Sequence, residues 1–155
     1  MVKFFVGDSK IHGRGVFASE DIQKGKTVFI LKGKRSVLRL KTDILSTPNM
    51  VGLEKNIWID PEFPINYLNH SCNPNLGMRG KVLFVAIRNI KKGEEFNFDY
   101  SISEDSEWEM RCYCGHANCR KIICGIKSLP ESIYRKYLPY IPRYFQKVYQ
   151  RSHNL

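Results

Sequence analysis

Asn69-His70-Ser71-Cys72-Asn73-Pro74-Asn75 gathers an amide, an imidazole, a hydroxyl and a thiol into one proline-containing turn. Further along comes Glu94-Glu95-Phe96-Asn97-Phe98-Asp99-Tyr100, in which aromatic and polar residues alternate. That alternation is the period of a strand, so Phe98 and Tyr100 should point to one side. A third stretch, Cys112-Tyr113-Cys114-Gly115-His116-Ala117-Asn118-Cys119-Arg120, supplies three thiols with a glycine turn between them. A structural zinc takes four ligands. By residue type the fourth is Cys72 or Cys124, with His116 a weaker candidate. Cys124 sits in Ile122-Ile123-Cys124-Gly125, an apolar setting that suits a buried free thiol.

With His12-Gly13-Arg14-Gly15-Val16-Phe17-Ala18 placed before them, these motifs resemble, in the same order, the SET-domain protein-lysine methyltransferases. The resemblance runs from about residue 10 to residue 125. It implies a mostly β fold, a β-clip of several small sheets with a knot-like arrangement, followed by a short helical C-terminal segment. It divides the chain into a SET domain over residues 1–106, a post-SET zinc segment over 107–125 and a basic, aromatic extension over 126–155. His12, Gly13, Arg14, Asn69 and His70 would line S-adenosylmethionine. Tyr100 would be catalytic, its hydroxyl at the mouth of a narrow lysine channel beside Phe98. Among the candidate ligands the resemblance selects Cys72 to join Cys112, Cys114 and Cys119 around Zn2+, clamping the C-terminal segment over the cofactor turn. Phe98 occupies the position that sets product in this family, and a phenylalanine there implies di- or trimethylation. Two features depart from the family: no cysteine-rich segment precedes residue 10, and residues 36–56 hold no tyrosine for the cofactor.

The chemistry makes demands of its own. Methyl transfer to an amine is an in-line displacement, so alignment carries much of the rate. A lysine amine, with a reference pKa of about 10.4, must first lose a proton. Burial and a neighbouring sulfonium cation both favour the neutral form. Gly13-Arg14-Gly15 lets backbone approach a ligand closely. Asn69 offers an amide, and His70 a ring that stacks or hydrogen-bonds. Tyrosine has a reference pKa near 10, which favours orientation and electrostatic stabilisation over general-base catalysis for Tyr100.

A chain of 155 residues suits one domain with a real core. No window approaches a membrane span, and the N-terminal apolar run is too short for a secretory signal. Five cysteines, three of them crowded into 112–119, suit metal binding in a reducing compartment rather than a disulfide framework. An intracellular protein is expected, in the nucleus or on a chromosome if it is eukaryotic or acts on host chromatin, and otherwise in the cytoplasm. The formal charge of +10 is uneven. Residues 10–41 and 120–155 are basic, whereas 94–109 carry acids and no Lys or Arg. The basic stretches suit a polyanion such as nucleic acid or a nucleosome, and the acidic one suits a basic peptide such as a histone tail. A non-histone substrate is a further alternative. The rival class is a zinc-stabilised, basic nucleic-acid-binding module that uses the SET body as scaffold. The sequence implies no oligomeric state.

Strands are expected over Val2–Val6, Val16–Ala18, Thr27–Leu31, Ile57–Ile59 and Lys81–Arg88. Phe17-Ala18 with Ile22-Gln23-Lys24-Gly25 is echoed by Val85-Ala86 with Ile90-Lys91-Lys92-Gly93, which predicts two small β units facing each other. Val37, Leu38, Leu40, Ile44 and Leu45 allow a short helix ended by Pro48. Ser128-Leu129-Pro130-Glu131 has the form of a capping box opening a helix that runs to Leu138. A second helix starts near Pro142 and places Tyr144, Phe145, Val148 and Tyr149 on one face, read as a packing face.

Overall fold

The computed structural model describes residues 2–39 and 49–155. Twelve strands are present among them: β1 (Phe4–Asp8), β2 (Arg14–Ala18), β3 (Thr27–Ile30), β4 (Gly33–Val37), β5 (Val51–Glu54), β6 (Ile57–Pro61), β7 (Asn69–His70), β8 (Leu76–Arg79), β9 (Leu83–Ala86), β10 (Glu95–Phe98), β11 (Glu109–Arg111) and β12 (Ile122–Cys124). Two short helices, α1 (Glu131–Tyr137) and α2 (Arg143–Ser152), follow at the C-terminus. The strands form three small sheets: a seven-stranded one in the order β1-β2-β10-β8-β9-β3 with β7 beside β10, a three-stranded one in the order β4-β6-β5, and the pair β11-β12. The fold is therefore mostly β in several small sheets. The short helix expected from Val37 to Pro48 is not testable: Val37 ends β4, and residues 40–48 lie outside the described set.

The repeated motif explains the centre of the molecule. Ile22 and Ile90 exchange two backbone hydrogen bonds of 2.8 Å. Gly25 N–H donates to Ala86 C=O at 2.7 Å, and Gly93 N–H donates to Ala18 C=O at 2.8 Å. The side chains repeat the symmetry, since Lys24 N–H donates to Asn89 and Lys92 N–H to Asp21, both at 2.9 Å. Each turn's polar groups are thus satisfied by the other copy, so neither unit is complete alone. This pairing brings β2 against β10 and β3 against β9. Phe84, Phe96, Leu76 and Met78 fill the space between them with no exposed surface.

β10 has unusual neighbours. It runs antiparallel to β2 but parallel to β7 and β8, with Phe98 opposite both His70 and Leu76. The Ser71–Asn75 loop joins those two partners of one strand. It sets the polar turn beside the end of β10.

Several local expectations needed correction. β1 runs to Asp8 rather than ending at Val6, because Gly7 and Asp8 pair with Gly15 and Arg14, while Val2 drops into the core. The capping box does not form. Pro130 is the residue that precedes α1, Ser128 belongs to a 3-10 turn, and Glu131 is spent on Arg135 one turn on, at 2.6 Å. Leu138–Tyr140 continues as a 3-10 turn through Pro139. The aromatic face of α2 is a packing face. Phe145 and Tyr149 are buried in the same core as the strands, with Tyr134, Tyr137 and Ile141, and Tyr149 stacks on Tyr134 at 3.7 Å between ring centres. No helix among the described residues is long and apolar enough to cross a membrane.

Candidate functional site

A cleft of about 710 Å³ opens where the polar turn, the end of β10 and the cysteine-rich segment meet. Its size is that of small-molecule sites. His12, Gly13, Arg14, Asn69, His70, Phe98 and Tyr100 all line it. The residues expected at the site, distant along the chain, are brought to one cavity.

The His12–Arg14 wall owes its shape to two glycines and one amide. Gly13 has φ +49°, a left-handed conformation that side chains resist. A Cβ at Gly15 would overlap the Glu95 carboxylate. Glu95 is held by the Ser9 hydroxyl at 2.8 Å and by Asn69 Nδ2 at 2.8 Å. The same Asn69 nitrogen donates to the carbonyls of His12 at 3.1 Å and Arg14 at 3.0 Å. Asn69 thereby holds the turn in place, and its NH2 group is committed within the chain.

Tyr100 follows β10 as the first residue of a 3-10 turn, which Asp99 caps by accepting from Ser101 N–H at 3.1 Å. The strand has ended, yet Phe98 and Tyr100 still share a side, with ring centres 4.9 Å apart. The Tyr100 hydroxyl donates to Leu68 C=O at 2.6 Å, while its ring keeps an edge on the cleft. Burial, followed by the charge of Glu95, pushes this phenol well above its ordinary value, so it is neutral at any physiological pH. His70 is buried, and desolvation pulls its imidazole down to about 4 despite the opposing charge of Asp99. It is neutral at pH 7. Its Nδ1 accepts from Tyr100 N–H at 3.2 Å, which leaves the proton on Nε2, 3.4 Å from Cys72 Sγ. His70 thus ties the backbone of Tyr100 to the thiol cluster.

The ligand atoms of Cys72, Cys112, Cys114 and Cys119 all lie within 4.8 Å of one another, so the group could hold a metal ion. Four sulfurs tetrahedrally placed about 2.3 Å from a zinc ion would be spaced by about 3.8 Å. Cys72 and Cys112 are 3.7 Å apart. Cys124 lies outside the group and is half-buried rather than buried; it sits in β12 with its carbonyl bound by the Ser101 hydroxyl at 2.6 Å. His116 is exposed and also outside it.

Sequence reasoning missed the ion pair beneath this cluster. Arg120 grips both oxygens of Asp99 at 2.7 Å, and its backbone N–H and Nε point to Cys72 Sγ at 3.4 and 3.5 Å. Asp99 is 1% exposed. Both residues stood inside recognised motifs, but no local period announces a partner so far away. Arg120→Met leaves a buried carboxylate without a counter-ion, and a loss of about 3 kcal/mol in a denaturant titration is expected.

The acidic stretch is not a single solvated face. Glu94 pairs with Arg88, Glu95 supports the glycine turn, Asp99 is buried, and Asp105 accepts from the Tyr144 hydroxyl at 2.6 Å. Only Glu107 and Glu109 are exposed, while Glu104 is buried against the cleft. The cleft also takes rings that went unassigned: Trp58, Tyr67, Trp108 and Tyr113. Tyr67 lies two residues before the turn, with the Arg14 guanidinium 5.7 Å above its ring.

Comparison with known proteins agrees with this geometry. Residues 13–101 match the SET domain family. Human histone-lysine N-methyltransferase 2D is 30% identical over 135 residues, which is 76% of this chain and 2% of that protein. Histone-lysine N-methyltransferase trithorax of Drosophila virilis is 32% identical over 74% of this chain and 3% of its own length. Among solved structures, KRYPTONITE in complex with mCHH DNA, H3(1-15) peptide and SAH superposes with a TM-score of 0.63 at 25% identity, covering 79% of this chain and 29% of that one. The chain belongs to the SET-domain family. It spans only a small part of the relatives it matches.

Proposed function

We propose that this protein is an S-adenosylmethionine-dependent protein-lysine N-methyltransferase acting on histone tails or similar basic chromatin proteins. The observation that carries the reading is the meeting of Tyr100 and Phe98 with the His12–Arg14 turn on one cleft. Family membership and its histone-lysine methyltransferase relatives support it.

S-adenosylmethionine supplies an electrophilic methyl on a sulfonium centre. His12, Gly13, Arg14, Asn69 and His70 form the wall suited to it: a cradle of backbone with apolar and aromatic surface around it. The lysine amine enters beside Phe98 and Tyr100. For transfer the amine would have to be deprotonated, with its lone pair aligned on the methyl that the cofactor would supply. The neutral Tyr100 hydroxyl and Leu68 carbonyl orient the amine, and the aromatic walls exclude water. Zn2+ held by Cys72, Cys112, Cys114 and Cys119 plays a structural part, closing residues 108–124 over the cleft. Arg143, Lys147 and Arg151 on the exposed side of α2 suit nucleosomal DNA beside a tail substrate. The test is transfer of labelled methyl from S-adenosylmethionine to mixed core histones, with the modified lysine located by mass spectrometry. Absence of transfer to histones with retained binding to DNA would favour the scaffold reading.

Phe98 also bears on the product. It is 4% exposed, packed between Phe84 at 5.0 Å and Tyr100 at 4.9 Å. It offers no hydroxyl to pin the amine or a water, so a methylated amine can still turn and fit. Di- or trimethyl-lysine is the expected product. Phe98→Tyr adds a polar group worth roughly 1–3 kcal/mol in such a site, and should move the product towards monomethyl-lysine while sparing the first transfer. Wild-type enzyme that stops at one methyl in long incubations would show that another group closes the channel.

A further inference from the structure

Glu104 is a carboxylic acid on the cleft wall with no basic partner within ion-pair distance among the described residues. It is 7% exposed and lines the cavity. Its carboxyl accepts from the Ser106 N–H, 2.7 Å from Oε1, and the Ser106 side chain and the Asp105 backbone also lie beside it. Neither carboxyl oxygen is among the buried polar atoms sealed off without a partner, and the residue lines the cleft. A chain with 25 Lys and Arg against 15 acids does not lack cations to neutralise one carboxylate. The buried Asp99 of the same segment has its arginine. An acid held this way costs free energy unless something from outside supplies the charge.

Position narrows the ligand. Gly52 of β5 packs so closely on the Ser103 carbonyl that a Cβ would overlap it, and Gly52 is paired with Trp58 of β6. Glu104 therefore belongs to the wall built by β5, β6 and the segment after Tyr100. The His12–Arg14 turn belongs to a different part of the cleft, held by Asn69. Two unpartnered polar atoms, Trp58 Nε1 and Asn66 Oδ1, come from residues lining the same cleft. The target amine itself is a poor occupant, because a carboxylate beside it would hold it as ammonium and block attack. Burial also raises Glu104 above the ordinary carboxylate range, which a bound cation would reverse.

We propose that Glu104 is a specificity subsite that binds the guanidinium or ammonium of a basic residue flanking the methylated lysine. This rests on the lysine-methyltransferase reading above and adds a selectivity to it: substrates carry Arg or Lys next to their target. Glu104 acts as a binding residue and takes no part in the methyl transfer.

The experiment uses the full chain, S-adenosylmethionine, and synthetic peptides with one central lysine and either arginine or citrulline at each flanking position in turn. Wild type should prefer arginine at one position by about 30-fold in kcat/KM, the size expected for a desolvated charge pair. Glu104→Gln should abolish that preference through peptide KM, leaving kcat and the KM for S-adenosylmethionine near wild type. Its melting temperature should match or exceed that of wild type, because an uncompensated buried charge has been removed. An equal loss on arginine and citrulline peptides, or a rise in KM for S-adenosylmethionine alone, overturns the assignment. If wild type transfers no methyl to any peptide, the activity reading fails. Fluorescence anisotropy with the same peptides then decides the subsite separately: an arginine preference lost in Glu104→Gln supports it, and none refutes it.

Discussion

Tyr100→Phe is expected to fold normally and to lose methyl transfer by a factor of about 10²–10³. On the proposed function the hydroxyl would align the amine; it donates to Leu68 C=O at 2.6 Å with Phe98 packed against its ring. Removing one preorganised hydrogen-bonding group from a buried site typically has that effect. The structural cost is small, since the ring remains and one hydrogen bond of about 1 kcal/mol is lost. The phenol stays protonated because burial raises it, so it does not act as a base at neutral pH. The pH–rate profile should therefore rise with deprotonation of the substrate amine and show no separate limb from Tyr100. Labelled transfer and a thermal melt on the same preparation separate chemistry from folding. A variant that retains most of its activity would remove Tyr100 from the mechanism.

Cys119→Ser should release the metal and with it the wall over the cleft. Cys72, Cys112, Cys114 and Ile123 form a small hydrophobic cluster apart from the main core. Apart from the cysteines, Ile123 is its one buried residue, too little to order a segment without a crosslink. Structural zinc in small sites contributes folding free energy directly, on the order of 10 kcal/mol or more. Disorder should extend over residues 108–124, where β11 and β12 close around the sulfurs. It should stop there, because Ile126, Leu129 and the two helices are built into the main core. Cofactor binding should weaken in step, since Trp108, Met110 and Tyr113 line the cleft. Cys124→Ser should keep the metal. Elemental analysis with hydrogen exchange checks both, and equal metal in wild type and Cys119→Ser would dismiss the assignment.

Much of the site was legible because its chemistry needs close spacing. Three thiols crowded into 112–119 announce a metal site, and the glycines at 13 and 15 announce a turn. The alternation from Glu95 to Tyr100 places two rings on one side. The repeated Ile-x-Lys-Gly turns predicted two facing units because matching flanks accompanied them, and the two units do complete each other's hydrogen bonds. The capping box at Ser128 misled because its residues also suit a 3-10 turn, and Pro130 already fixed where the helix could begin.

By itself, then, the sequence pointed to the SET-domain class, the catalytic tyrosine candidate, the polar turn and a set of cysteines that could hold a metal ion. The polar turn and the crowding of three thiols are matters of residue type at short spacing, whereas the class and the tyrosine's role follow from the resemblance of the ordered motifs. Only the tertiary structure decided which acids are solvated and which are buried, that Arg120 neutralises Asp99, that Asn69 holds the glycine turn, and that Glu104 has no cation beside it among the described residues on the cleft wall. Those properties depend on desolvation and on partners supplied from remote segments. A charge is costly or cheap according to what folds against it, and no local pattern of residues records that.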